Sequence, residues 1–353
     1  MKLARFSLIV FLALVLLVGS GVGAVYFWLS RPLVAGTSFR IVIQPGENFA
    51  SIVTSMVHRG LLTSARWVRL YARVTGVDTA VRPGEYSFAD GTSLLGLFAA
   101  LTAGDVVQRA VTLVEGRTLA ENLASWEKSY LSLTPSPLRE EAIGALLEIR
   151  APSPEGLFFA DTYFYQLGDT DVSVLQRAHQ RLLDVLAEEW GRREPGLPYA
   201  SSYEALVMAS LVERETAVQA ERPRIAGVFI RRLLKRMRLQ SDPTVIYGMG
   251  THYKGHLRRR DLLRHTPYNT YRIRGLPPTP IALVGRGALH AALHPAQGTA
   301  LYFVARGDGS HEFSDNLAAH NRAVSRYQLN RRDDYRSTPF SHTPSKDREH
   351  QTQ

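Results

Sequence analysis

Apolar residues fall into three kinds of pattern along this chain. The first is an unbroken run. Leu8 to Leu29 carries no charge over 22 residues, which at 1.5 Å per residue makes a helix about 33 Å long. That matches the roughly 30 Å hydrocarbon core of a bilayer. The second pattern is alternation. Phe39–Ile43 and Gly84–Phe88 read as short strands, and Pro45-Gly46-Glu47-Asn48 as a turn. The third is helical spacing. Phe49, Ile52, Val53, Met56 and Val57 recur on one face, and Gly60 closes that helix. Further helices are predicted through Ala65–Val74 and Ser93–Leu101.

These elements predict a small α+β module over 36–106. A second strand-then-turn unit starts at Val111 and ends on Gly116, with helices following to about Ile149. Pro152 and Pro154 break the chain, and Val172–Trp190 is a strongly amphipathic helix. A Gly/Pro-rich loop over 191–200 leads into a motif-dense stretch to about 330. Arg331–Gln353 is polar and aperiodic, which predicts a disordered tail. The expected fold class is therefore α+β. A cytoplasmic stub and transmembrane anchor occupy 1–30, the small module 36–106, an intermediate α+β region 107–200, a core domain 201–330 and the tail 331–353.

Charge then decides orientation. Lys2 and Arg5 precede the apolar run, only Arg31 follows it closely, and Tyr26-Phe27-Trp28 sits at its distal end. The positive-inside rule and the aromatic belt place the N-terminus in the cytoplasm and the rest outside it. A cleaved signal peptide is the competing reading, with Gly21-Val22-Gly23-Ala24 as the cleavage region. Signal cores usually run about 7–15 residues, so an uncleaved anchor fits better.

The 353 residues are 45% hydrophobic and 21% charged, with net charge +10. That is a folded, not a disordered, composition. The absence of cysteine excludes disulfides, thiol nucleophiles and Cys-ligated metals. A basic run of Arg231, Arg232, Lys235, Arg236 and Arg238 would suit nucleic acid, but an exported domain meets little of it. A solvated basic face, or contact with anionic lipid and wall polymers, is the better reading. His290 and His294 have the i, i+4 spacing of zinc ligands. With no HExxH motif, no nearby third ligand and Pro295 following, they read as packing or capping residues, and no metal is expected. No phosphate loop, dinucleotide fingerprint or G-x-S-x-G elbow is present, so no cofactor is expected either.

One helix offers chemistry. Ser201-Ser202-Tyr203-Glu204 is a capping box opening a helix to Thr216. At 100° per residue, Glu215 falls between Leu211 and Val212 and beside Met208, while Glu213 falls beside Ala209 and Leu206. Glu215 thus continues a bulky apolar stripe, where desolvation would raise its pKa toward that of a general acid. An ordinary solvated glutamate in a last turn is the alternative. Downstream, Leu239–Gly248 sets polar residues in a Pro-containing turn, and Pro267–Tyr271 with Gly275–Pro280 makes a stiff loop rich in Tyr and Asn. Such a loop suits a sugar chain.

Several long motifs occur in order: Glu155–Tyr163, ASLVERET (209–216), RLQSDPTVIYGMG (238–250), PYNTYRIRGLPPTPIA (267–282) and 294–321. Together they resemble the endolytic murein transglycosylase (YceG-like) family, from the anchor to about Tyr327. The chain departs from the family pattern at Ala160, where proline is usual. The resemblance implies a single-pass inner-membrane anchor, a LysM-like module at 36–106 and a catalytic domain facing peptidoglycan in the periplasm. It also implies that the catalytic acid is Glu215, which precedes Thr216, with Glu213 as the alternative. Gln240, Asp242, Tyr247, Tyr268, Asn269 and Tyr271 are the candidates for binding the glycan. A lytic transglycosylase needs one carboxyl rather than the usual pair, and its product carries a 1,6-anhydro-muramoyl end. Expected partners are glycan strands, inner-membrane lipid and cell-wall synthases (penicillin-binding proteins). The alternative function is a non-catalytic wall-binding scaffold that recruits those synthases.

Overall fold

The computed structural model describes residues 2–33, 37–126, 129, 131 and 140–329. They divide into two compact units. One comprises the chain up to Arg109 with Tyr130–Ser132 and Phe164–Asp169, and the other Ala110–Ser129, Leu133–Tyr163 and the chain from Thr170 onward. The expected tail at 331–353 lies outside the described residues.

In the first unit, Lys2–Leu29 is one helix. Its Leu8–Leu29 stretch is long and apolar enough to cross a membrane, and none of its most apolar window is buried in protein. Only the end turns inward: Leu29 is buried among Ile41, Ile52, Val68 and Leu97, with Trp28 packed against them. The two strands pair antiparallel, from Phe39 opposite Phe88 to Ile43 opposite Gly84. Alternation sends Ile41 and Ile43 inward, to meet Tyr86 and Phe88. Asn48 and Ser93 each cap a helix by accepting from the backbone N–H three residues on. Glu85 is buried in this unit but satisfied, with Arg40 at 3.3 Å and Arg109 at 2.6 Å.

The second unit is built around the Ser202–Glu215 helix, which contacts the Asp171–Gly191, Arg222–Leu234, Asp242–Met249 and Arg286–Leu293 helices. Every residue from Ala205 to Glu213 is buried. This corrects the single-stripe reading of that helix. Neighbours cover it on all sides, so both carboxylates are drawn out of solvent and the apolar stripe does not separate them. Tyr302–Ala305 and His311–Ser314 form an antiparallel hairpin closed by the Arg306 N–H donating to Ser310 at 2.8 Å.

The basic run is also corrected. Arg232 is only 7% exposed, and its guanidinium donates to the carbonyls of Leu301, Arg238 and Leu239 at 2.6, 3.2 and 2.8 Å. Arg231 donates to Ala296 and Ala300 at 3.0 and 2.8 Å. Burying a guanidinium is tolerable only with such partners, so these two arginines fasten the hairpin region to the Arg222–Leu234 helix. Lys235, Arg236 and Arg238 alone remain an exposed basic patch.

Candidate active site

Ser201 caps the central helix by accepting from the Glu204 N–H at 3.4 Å, and Glu204 in return accepts from Ala200. The helix runs to Glu215, with Thr216 extended and buried as its C-cap. Its last turn thus delivers two carboxylates to different surroundings.

Glu213 is fully committed. Its Oε1 accepts from Arg222 at 2.5 Å and its Oε2 accepts from the Gly285 N–H at 3.1 Å. Burial pushes its pKa up to about 7, against the pull of Arg222 and that backbone donor, with the Glu115 carboxylate adding to the rise. A Cβ at Gly285 would meet only the Glu115 carboxylate, the end of a half-exposed side chain that can swing aside. Both oxygens of Glu213 therefore hold the fold together. Removing one partner of a buried ion pair strands the other charge and typically costs about 3–5 kcal/mol. Glu213→Gln should lower unfolding stability by about 3 kcal/mol, the low end, since Glu115 remains 3.5 Å from Arg222. The denaturant midpoint reads this directly.

Glu215 is half-buried and only half committed. Its Oε1 accepts from the Ser241 hydroxyl at 2.5 Å. Its Oε2 has no hydrogen-bond partner among the described residues. Burial is the main cause that pushes its pKa up to about 7. The nearby Asp242 charge raises it further, and the Ser241 hydroxyl, Arg214 and Arg232 oppose. A helix C-terminus, with its negative dipole end, also disfavours an anion there. The result is a carboxyl that exchanges a proton near neutral pH and has one oxygen open to a substrate.

Ser241 carries no signal in the sequence beyond its place between Gln240 and Asp242. It is the N-cap of the Asp242–Met249 helix, yet its side chain makes no capping bond. The hydroxyl is turned to Glu215 instead. Two features aim it. Gln240 adopts a left-handed backbone, φ 54°, a conformation that costs a non-glycine residue of order 1 kcal/mol and clusters at functional sites. Thr270 then pins the next residue, accepting from the Ser241 N–H at 2.9 Å while bonding the Thr244 hydroxyl at 2.8 Å. Ser241, Thr244 and Thr270 are all buried.

The six expected glycan contacts separate by environment. Gln240 and Asp242 are exposed. Gln240 Oε1 accepts from Arg232 at 3.3 Å, and Asp242 accepts from the Tyr271 hydroxyl at 2.6 Å. Asp242 and Tyr271 lie close enough to Glu215 to act on its charge, and Gln240 precedes the Ser241 that bonds it. Tyr247 and Tyr268 meet edge to face, 4.9 Å between centroids, and the Tyr268 hydroxyl bonds Thr279 at 2.9 Å. Asn269 is 1% exposed. Its amide donates to the carbonyls of Asp261, Leu262 and Arg264, and its oxygen accepts from the Tyr271 N–H. With both ends occupied by backbone, Asn269 shapes the loop that carries Tyr271 and has nothing left for a sugar. The motif Glu155–Phe159 is likewise architectural at its first residue. Glu155 is buried and accepts from the Leu119 N–H at 3.0 Å, at the start of the Leu119–Trp126 helix.

Comparison with known proteins follows the same span. The YceG-like family profile matches residues 41–326. An endolytic murein transglycosylase of Bacillus subtilis (strain 168) is 30% identical over 309 residues, covering 82% of this chain and 85% of that protein. An endolytic murein transglycosylase of Streptococcus pneumoniae serotype 2 is 34% identical over 129 residues, 35% of this chain and 23% of that protein. A crystal structure of a YceG-like protein from Listeria monocytogenes aligns at 25% identity and TM-score 0.49, covering 82% of this chain and 99% of that one.

Proposed function

This chain belongs to the YceG-like family, and from that premise we propose that it is a membrane-anchored lytic transglycosylase of peptidoglycan. Its curated relatives carry the name endolytic murein transglycosylase, which supports murein as substrate. The bond cleaved is the β-1,4 link between N-acetylmuramic acid and N-acetylglucosamine within a strand, and the cut terminates elongation of nascent glycan. The Leu8–Leu29 helix anchors the chain in the inner membrane with the N-terminus cytoplasmic and the second unit periplasmic. Residues 36–106 act as a LysM-like glycan-binding module, and cell-wall synthases are the protein partners.

The observation that carries the chemistry is the inequality of the two carboxylates. Glu213 has no free oxygen, whereas Glu215 has one. Protonated Glu215 donates its proton to the glycosidic oxygen as the C1–O bond breaks, and N-acetylglucosamine leaves as the alcohol. The resulting carboxylate removes the proton of the muramoyl C6 hydroxyl, whose oxygen bonds to C1 and closes the 1,6-anhydro ring. The proton returns to Glu215, so no water is consumed and no second carboxylate is required. Ser241, donating to Oε1, steadies the carboxylate form between the two steps. Gln240, Asp242 and Tyr271 bind the sugar beside Glu215, a reading supported by the charge interaction of Asp242 and Tyr271 with that carboxyl, and Tyr247 and Tyr268 supply aromatic surface.

The pH profile of anhydro-end release tests this assignment. The free enzyme needs Glu215 protonated, so kcat/KM should fall with unit slope above about pH 7. The Ser241 hydroxyl stabilises the anion, so Ser241→Ala should move that limb to higher pH and lower kcat about tenfold. Asp242 disfavours the anion, so Asp242→Asn should move it to lower pH. A limb that stays fixed in both variants would remove Glu215 from the acid role.

A further inference from the structure

We propose that Glu189, His290 and His294 form a binding site for a divalent transition-metal ion, zinc being the best fit, outside the catalytic machinery. The expectation that the two histidines lack a third ligand fails in three dimensions. Glu189, 101 residues before His290, comes from the end of the Asp171–Gly191 helix and faces the end of the Arg286–Leu293 helix. One donor atom from each of the three residues lies within 4.8 Å of the other two.

The local geometry suits a chelate. The imidazoles of His290 and His294 stack at 4.3 Å between centroids and 26° between planes. His290 Nδ1 is 2.9 Å from Glu189 Oε2, close to the separation of two donors on one small ion. The Glu189 side chain is 6% exposed, so the carboxylate is held rather than free to sweep solvent, while His290 at 57% leaves a path for entry. Arg286 donates to the other oxygen, Oε1, at 2.7 Å. That is the outer-shell contact that orients a ligating carboxylate and leaves Oε2 available.

Charge permits a cation. Glu188, Glu189 and Glu194 face Arg181, Arg192 and Arg286 in this cluster, three negative charges against three positive, so with neutral histidines an incoming cation meets no net positive charge. Two imidazoles and one carboxylate suit zinc or its transition-metal neighbours far better than magnesium or calcium, which take oxygen ligands. Three protein ligands leave one coordination position for water. The bound ion would tie together two helices that both pack on the Ser202–Glu215 helix, so its effect is to brace the unit that carries Glu215.

The test uses the full chain in detergent, purified without a polyhistidine tag and stripped with a chelator. Zinc is then titrated calorimetrically, and thermal unfolding is followed with zinc, magnesium or no metal. One equivalent should bind, and Tm should rise by about 5–10 °C when zinc is 100-fold above its Kd, with no rise in magnesium. His290→Ala and His294→Ala should each weaken binding at least tenfold, as should Glu189→Gln. His58→Ala, an exposed histidine elsewhere, should bind as the parent does. Zinc that binds equally well to the His290 and His294 variants, adventitious surface binding only, overturns the proposal. So does the absence of any stoichiometric binding.

Discussion

Glu215→Gln should fold normally, bind glycan strands and release no detectable anhydromuramoyl product. The substitution keeps the shape of the side chain and an oxygen for the Ser241 hydroxyl, which donates to Oε1 at 2.5 Å. It removes only the transferable proton and the base that forms when that proton leaves. General acid–base catalysis is typically worth about 10²–10⁴ in rate. Here one group serves bond cleavage and ring closure in turn, so a loss of at least about 10⁴ is expected. Glu213→Gln should separate from it: product forms at a measurable rate, and the loss appears in stability. The two variants differ because Arg222 and the Gly285 N–H occupy both oxygens of Glu213, whereas Oε2 of Glu215 is uncommitted. A dead Glu213→Gln variant of normal stability beside an active Glu215→Gln would reverse the assignment while leaving the single-carboxyl mechanism in place.

Met208→Asp should unfold the second unit. Met208 is fully buried, in the middle of a helix surrounded by Leu182, Ile225, Phe229, Ala288 and Leu289 among others. The described residues clustered with Met208 are apolar. An unpaired buried charge either stays ionised at a prohibitive desolvation cost or is protonated with an unsatisfied polar group. The expected loss is about 5 kcal/mol or more, comparable with the whole stability of an ordinary domain. Met208→Leu, which nearly conserves volume, should cost less than about 1.5 kcal/mol. Circular dichroism melts of the pair read both values. An unchanged Tm in Met208→Asp would mean that the helix is not the centre of this unit.

The elements of the first unit were legible because each carries its own local signal. Alternation marks Phe39–Ile43 and Gly84–Phe88, and helical spacing closed by a glycine marks Phe49–His58. The capped helix ending at Glu215 was legible for the same reason. Burial on all sides of that helix was not, because the covering helices lie far away in sequence and periodicity reports only one element at a time. The same blindness hid Ser241. Nothing in the sequence around Ser241 points to a carboxylate 26 residues earlier, and only the fold brings its hydroxyl there. Arg232 looked like part of a solvated face because its partners are backbone carbonyls, which leave no mark in a sequence. Asn269 looked like a sugar ligand because composition cannot distinguish an amide that faces a ligand from one that pins a loop. Glu189 was missed as a neighbour of His290 for the plainest reason, since a helix from another part of the chain supplies it.

The most direct test of the central claim is the mass spectrum of products from purified glycan strands digested in heavy-oxygen water. If Glu215 drives ring closure by the muramoyl C6 hydroxyl, every new end is 1,6-anhydro-N-acetylmuramic acid and carries no label. If the new ends are reducing sugars with one heavy oxygen each, water is the nucleophile and the single-carboxyl account is wrong.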